Sequence, residues 1–381
     1  MAMTRARLAA LITMAGAVMC SCGIERPGYA DGDNVLIIQA IDTSGSTGVD
    51  SAIVTGASIE LSSSTCVFKG TFTTDELGRV VIEHLPSGDY YIQASKRAEV
   101  QYGILTAQKQ LTLENEAERE DTLLMSFASL SPVVINEVYY CGCSASTFYY
   151  YDQFIELYNS TDDTLYLDGY VAVRGTQIDD LIGFDKETAP IALGFYVYKF
   201  PGIRGETRQC PIAPQGYLVL AGDGINHHNY GALCVDLSHA DWEFLNAAKN
   251  DYDAPGVRNL TPVSTEGNDF TMNLIHNAVW LATGEEYVFK EYSYMSSSGG
   301  IQTTICAEIP LNGIIDAVEY SANAGSPRYM TLRLDGGFAG VGITRYSGQS
   351  IERKMPGQDT NNSAFDFVNL PSPTPGWSHA Q

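Results

Sequence analysis

Two kinds of residue in this 381-residue chain could do chemistry. One is a set of glutamates placed singly in apolar strands. The other is a tyrosine run beside a pair of cysteines. Glu137 lies in Val133-Val-Ile-Asn-Glu-Val-Tyr139, Glu156 in Phe154-Ile-Glu-Leu-Tyr158, and Glu352 precedes Arg353 in Ser350-Ile-Glu-Arg353. Two facing carboxylates can act as acid and base, which gives a hydrolase using Glu137 and Glu156 as one reading. A buried carboxylate also needs a partner, and an arginine supplies one with two parallel hydrogen bonds. No nucleophile or metal motif accompanies these acids. We therefore read Glu156, Glu352 and Arg353 as a structural charge pair and assign no catalytic residue.

Cys141-Gly-Cys143 precedes Phe148-Tyr149-Tyr150-Tyr151. Tyrosine joins flat apolar area to a hydroxyl, which suits glycan or protein contacts. Tyr149, Tyr150 and Tyr151 are thus a candidate binding surface; packing beneath the insertion is the alternative. His227-His228 is a second candidate on a loop. Adjacent side chains diverge and a zinc site needs three or four converging ligands, so no metal is assigned. A bond between Cys141 and Cys143 would be strained, so partners are expected among Cys210, Cys234 and Cys306. Ser238-His-Ala-Asp241 before Trp242–Ala248 predicts a short capped helix. Phosphate loops, nucleophile elbows and dinucleotide fingerprints do not occur, and no cofactor is predicted.

Composition narrows the partners. The chain carries 22 Lys+Arg against 45 Asp+Glu, a net charge of −23, which argues against nucleic acid. Arg5 and Arg7, the apolar run Leu8–Val18 and then Met19-Cys20-Ser21-Cys22 have the anatomy of an export signal. It resembles a lipoprotein signal, with Cys22 the lipidated residue and Cys20 the second choice. Residues 1–21 would be the signal. Outer-membrane attachment through lipid, on the cell surface or the periplasmic face, is the expected address.

The elements that must position these residues are strands. Val35–Ile41 is apolar, Ala57–Leu61 alternates, and Asp75-x-x-Gly78 and Pro86-x-Gly88 supply turns. Short strands at this spacing predict an all-β chain of β-sandwiches. Residues 22–128 resemble the carboxypeptidase-regulatory-like and Cna-B-like sandwiches, on Ala57-x-Ile59-x-Leu61, Thr74-Asp75-x-x-Gly78 and Leu85-Pro86-x-Gly88-x-Tyr90. Residues 130–381 resemble the lamin-tail domain. The elements are Ile135-Asn-Glu137, Phe154-Ile-Glu-Leu-Tyr-Asn159, Leu167-Asp-Gly169, Ile315-Asp-Ala-Val-Glu-Tyr320, Ser350-Ile-Glu-Arg353 and Thr374-Pro-Gly376, in that order. The resemblance implies two immunoglobulin-like sandwiches in tandem, as in surface lipoproteins of the Bacteroidota.

The resulting expectation is a non-enzymatic envelope lipoprotein with a distal binding or adhesion module. Its partners would be the membrane through the lipid, and a protein, a glycan or an outer-membrane transporter. The alternatives are an accessory for uptake of a metal complex, haem or glycan, and the hydrolase.

Overall fold

The computed structural model describes residues 32–44, 51–63, 65–66, 68–97, 103–114, 118–129, 131–144, 146–249, 251–264 and 270–379. The lipidation candidates Cys20 and Cys22 lie outside them. The described residues form an all-β protein whose strands assemble into sandwiches.

An eight-stranded sheet takes in all strands from Asn34–Asp42 to Arg119–Ser129. Strand Arg119–Ser129 serves two layers. Its first part runs parallel to Asn34–Asp42, with Leu36 opposite Arg119, and its end pairs antiparallel with Gly103–Leu113. Alternation does the rest: Leu36, Ile38 and Ala40 point inward and pack with Ile59, Leu61, Tyr90 and Ile92. The turn at Asp75–Gly78 forms as its composition requires. The Asp75 Oδ1 accepts from the Leu77 and Arg79 amides, and Gly78 takes φ +69°.

From Val133 onward two seven-stranded sheets stack. One runs, in spatial order, Arg258–Asn259, Trp242–Glu243, Tyr217–Ala221, Phe154–Asn159, Val133–Tyr139, Ser350–Arg353 and Phe367–Leu370. The other centres on Ile191–Lys199, Val171–Gly175, His276–Ala282 and Ile314–Ser321. Val138, Ile155, Leu220 and Ile351 of the first meet Tyr198, Val279, Leu281 and Val318 of the second in one core. Tyr91 stacks on Phe365 at 5.4 Å, and Lys354 pairs with Glu60, so the two parts of the chain touch.

The helix predicted after Ser238 does not form. Trp242–Glu243 is a strand in parallel register with Leu220–Ala221, and among the described residues 244–249 there is only a 3-10 turn, Ala247–Lys249. Glu243 is buried and accepts from the Gly224 and Ala254 amides, so tertiary pairing overrides the local cap.

Candidate functional site

The tyrosine run and the histidine loop, far apart in sequence, come together. Strands Val133–Tyr139 and Phe154–Asn159 are antiparallel neighbours, and residues 140–153 form the excursion between them. The excursion folds back where Ser144 bridges to Tyr149. Gly142 sits there at φ +75°, and a Cβ on it would fall 2.7 Å from the Tyr149 carbonyl oxygen, so only glycine fits. A disulfide, Cys143–Cys234, fastens the excursion to the loop that carries His227.

Contacts between the two segments continue outward from that bond. The Tyr149 hydroxyl lies 2.7 Å from His227 Nδ1, and His227 Nε2 lies 3.0 Å from the Asp223 carbonyl oxygen. A carbonyl only accepts, so Nε2 carries the proton and Nδ1 accepts from tyrosine: a neutral imidazole. Burial agrees, holding the His227 pKa down and the Tyr149 phenol up. Tyr149 then stacks on Tyr230 at 4.1 Å, Tyr150 on Tyr151 at 4.7 Å, and Phe148 meets Tyr346 edge-on. The outer rings are open to solvent: Phe148 is 67%, Tyr230 46% and Tyr151 40% exposed.

The candidate surface therefore divides. Tyr151 and His228 are on the surface, Tyr149 and Tyr150 are half-buried, and His227 is fully buried. His227 is thus a bolt beneath the platform and not a surface group. The reason is its partner Tyr149, 78 residues away on the disulfide-fastened excursion. Tyr230 and Asp152 were not visible as participants in the sequence. The Asp152 Oδ2 accepts from the Tyr139 hydroxyl and the Val235 amide, and burial pushes its pKa up to about 6. Among the described residues the one close group of metal-type ligands is Cys143, Asp152 and Cys234, and its two sulfurs are spent in the disulfide. Cys141, Cys210 and Cys306, expected among the disulfide partners, are buried free thiols.

The glutamates form a second cluster, with a different logic from the predicted charge pair. Glu156, Glu137 and Glu352 are register partners on three adjacent strands and so share one face. The C-terminal segment 374–379 lies across them. The Thr374 amide and hydroxyl donate to Glu137, the Gly376 amide to Glu156 at 2.5 Å, and the His379 amide to Glu352 at 3.2 Å. Ser350 Oγ also donates to Glu137. Asn136, the extra residue of a bulge, donates to both outer glutamates, at 2.9 and 3.2 Å. Burial pushes Glu137 up to about 7, and pushes Glu156 well above the usual carboxylate range with help from Glu137.

Arg353 pairs with neither Glu156 nor Glu352, which corrects the expected triad. Successive strand residues face opposite sides, so Arg353 points away from Glu352. Its Nη2 meets Asp316 at 2.7 Å, its Nη1 lies 3.5 Å from Asp359 and 3.4 Å from Asp366, and its Nε donates to the Ile135 carbonyl. Asp316 belongs to the opposite sheet and also accepts from the Ile135 amide, so this ring ties the two sheets together.

Fold and site define an all-β sandwich protein carrying a disulfide-fastened aromatic face. The model of a family described as a protein of unknown function, DUF4876, matches residues 213–374. That span contains the histidine loop, Glu352 and Arg353 and ends on Thr374; the tyrosine excursion precedes it. The crystal structure of a DUF4876 family protein from Bacteroides thetaiotaomicron is similar at 21% identity and a TM-score of 0.56, over 88% of this chain and 94% of that one. A likeness at that identity is one of fold. Two further similarities are weaker. A Pseudomonas aeruginosa protein provisionally described as carbohydrate binding is 19% identical, with a TM-score of 0.20, over 26% of this chain and 92% of its own. The shaft pilin SpaA of Lactobacillus rhamnosus is 10% identical, with a TM-score of 0.19, over 71% of this chain and 91% of its own. No curated protein matches the chain.

Proposed function

We propose that the protein is a non-enzymatic cell-envelope lipoprotein whose second part, residues 130–381, is a lamin-tail-like binding module on a Cna-B-like spacer, residues 22–128. Its contact surface is the aromatic face formed by Phe148, Tyr151 and Tyr230 with His228 beside it. The observation that carries this reading is the fastening of an exposed aromatic cluster. Exposed rings alone are ordinary. Here a disulfide and a part-buried tyrosine–histidine hydrogen bond fix their positions, and such pre-organisation lowers the entropy lost on binding. Flat rings with hydroxyls suit the apolar faces and hydroxyls of a neutral saccharide. The placement of Glu137 and Glu156 beneath the C-terminal segment, both 0% exposed, supports a non-enzymatic role. Attachment is assigned to lipid on Cys22 from the export-signal anatomy of Arg5, Arg7, Leu8–Val18 and Met19-Cys20-Ser21-Cys22.

The test is retention of the full chain on a printed panel of neutral oligosaccharides. Wild type should bind at least one member, and Tyr151→Ala with Tyr230→Ala should lose that signal while keeping its melting temperature. Equal binding by both proteins, or by neither, would remove the aromatic face from the reading. Labelling with an alkynyl fatty acid tests the address: label should be incorporated by wild type and lost in Cys22→Ser.

A further inference from the structure

Arg174 is the one cation lining a groove of about 570 Å³ between Phe195 and Tyr196 on one side and Tyr294, Thr303 and Thr304 on the other. It is only 6% exposed. In a chain of net charge −23 a buried guanidinium should find a carboxylate, as Arg353 finds three. Arg174 makes no ion pair among the described residues. Its Nη1 donates to the Thr271 carbonyl oxygen at 3.0 Å. Its guanidinium carbon lies 4.1 Å from the centre of the Tyr196 ring and 4.9 Å from that of Phe195. Its Nε, fully buried, has no acceptor among the described residues.

The packing fixes the guanidinium without neutralising it. Two rings hold it and one carbonyl orients it, while the positive charge and a donor edge remain unspent. Behind it the inner face has further donors in excess. Asn277 Nδ2 and the Tyr140 hydroxyl are buried without partners among the described residues. Both adjoin Tyr320, Asn277 by strand register and Tyr140 by stacking at 3.7 Å, and Tyr320 also feels the Arg174 charge. Neither lines the groove, so the unspent charge that a ligand could meet there is that of Arg174. Besides Ile178 and Ile305 the remaining lining is hydroxyl, amide and ring, which suits a sugar more than an extended apolar ligand. Glu291 is the one acid on the lining and sits exposed on a neighbouring strand.

We infer that this groove takes the carboxylate of an acidic saccharide, a hexuronate unit, with Arg174 as its counter-ion and the groove hydroxyls meeting those of the sugar. The inference stands on the groove alone and does not depend on the tyrosine face.

The experiment is calorimetric titration of the full chain with an α-1,4-linked galacturonate trimer and with the neutral galactose trimer of the same linkage. The acidic trimer should bind at least about tenfold more tightly than the neutral one, as one charge-assisted pair requires. Arg174→Gln should reduce the acidic trimer to the level of the neutral one. Glu291→Gln should tighten it a few-fold by removing a like charge, and rising salt should weaken it. Tyr151→Ala with Tyr230→Ala should leave it unchanged, which separates this site from the aromatic face. Equal affinities for the two trimers, binding of neither, or undiminished binding by Arg174→Gln would overturn the inference. Should Arg174→Gln fail to fold, Glu291→Gln decides: an unchanged affinity overturns the inference.

Discussion

Glu352 and Arg353 are neighbours on one strand, 0% and 1% exposed, yet their surroundings answer buried charge in two different ways. On the Glu352 side three glutamates sit in register and take neutral donors: backbone amides of 374–379, the Thr374 and Ser350 hydroxyls, and the Asn136 amide. His379 Nδ1 also meets Glu352, but no Lys or Arg pairs with the row among the described residues. On the Arg353 side one guanidinium faces Asp316, Asp359 and Asp366. The row therefore acts as a set of acceptors spaced to hold a strap, and what it supplies is geometry. The ring acts as a counter-charge, and what it supplies is neutralisation across two sheets. An acceptor can be replaced by another acceptor of the same shape. A counter-charge cannot.

That distinction sets the largest expected effect. Arg353→Met removes the one cation and leaves three carboxylates around an apolar side chain. Breaking a buried pair in this way costs about 3–5 kcal/mol. Glu137→Gln keeps an acceptor oxygen for Thr374 and should cost less than about 1 kcal/mol at neutral pH. Urea unfolding of both variants measures the difference. Equal losses would show that the glutamate row is also a charge network, and the comparison would collapse.

The pH dependence sharpens the same contrast. Glu137 is pushed up to about 7 and Glu156 well above its usual range. A carboxyl whose folded pKa lies above its unfolded value holds a proton that the unfolded chain releases. Its contribution to stability is fully present below about pH 4.3, the ordinary glutamate value, and is lost as pH rises through about 7. Urea stability at pH 5.5 should therefore exceed that at pH 8, by about 2 kcal/mol from Glu137 alone. Asp316 and Asp366 add the same sign, since burial and the repulsion of Asp359 raise both. Glu137→Gln should stabilise the protein relative to wild type as pH rises. A constant gap between the two proteins across this range would assign the titration to the aspartate ring instead.

An effect of similar size tests the aromatic face. Cys143→Ser opens a bridge between residues 91 apart and should cost about 2–4 kcal/mol, most of it local to the excursion and the histidine loop. Amide exchange should speed up at residues 140–150 and 226–236 and stay slow along Val133–Tyr139. Uniform loss of protection would make the disulfide a clamp on the whole sandwich.

Much of this architecture was legible in the sequence. Val35–Ile41 and Ala57–Leu61 read as strands because an apolar run, period-two alternation and turn residues are local signals. The glutamates of Ile135-Asn-Glu137, Phe154-Ile-Glu156 and Ser350-Ile-Glu352 stood out because acids are rare in apolar strands. Their partners did not, because hydrogen bonds to backbone amides leave no trace in residue type, and the obvious charge partner, Arg353, lay on the wrong side by strand parity. Asn136 looked like a motif letter and is the bulge residue that bridges two glutamates. Trp242–Ala248 carried a helix start signal that register with Leu220–Ala221 overrode. Arg174 gave no signal at all, since its neighbours Phe195, Tyr196 and Thr271 come from other elements.

The smallest predicted effect separates scaffold from surface. Tyr149→Phe removes the hydroxyl that donates to His227 Nδ1 and leaves the ring stacked on Tyr230. A buried acceptor left without its donor should cost about 1 kcal/mol. The Asp223 carbonyl still holds the proton on Nε2, so the tautomer should persist while the Nδ1 resonance shifts on losing its donor. The sign with pH is opposite to that of the glutamates. Burial lowers the His227 pKa, so its contribution is present above the unfolded value, about 6.5, and is lost on acidification. Tyr149→Phe should leave saccharide binding intact, because the exposed rings remain, and so should show the opposite pattern to Tyr151→Ala: a small loss of stability with binding kept. If Tyr149→Phe abolishes binding without loss of stability, the hydroxyl itself meets the ligand and His227 becomes part of the contact surface.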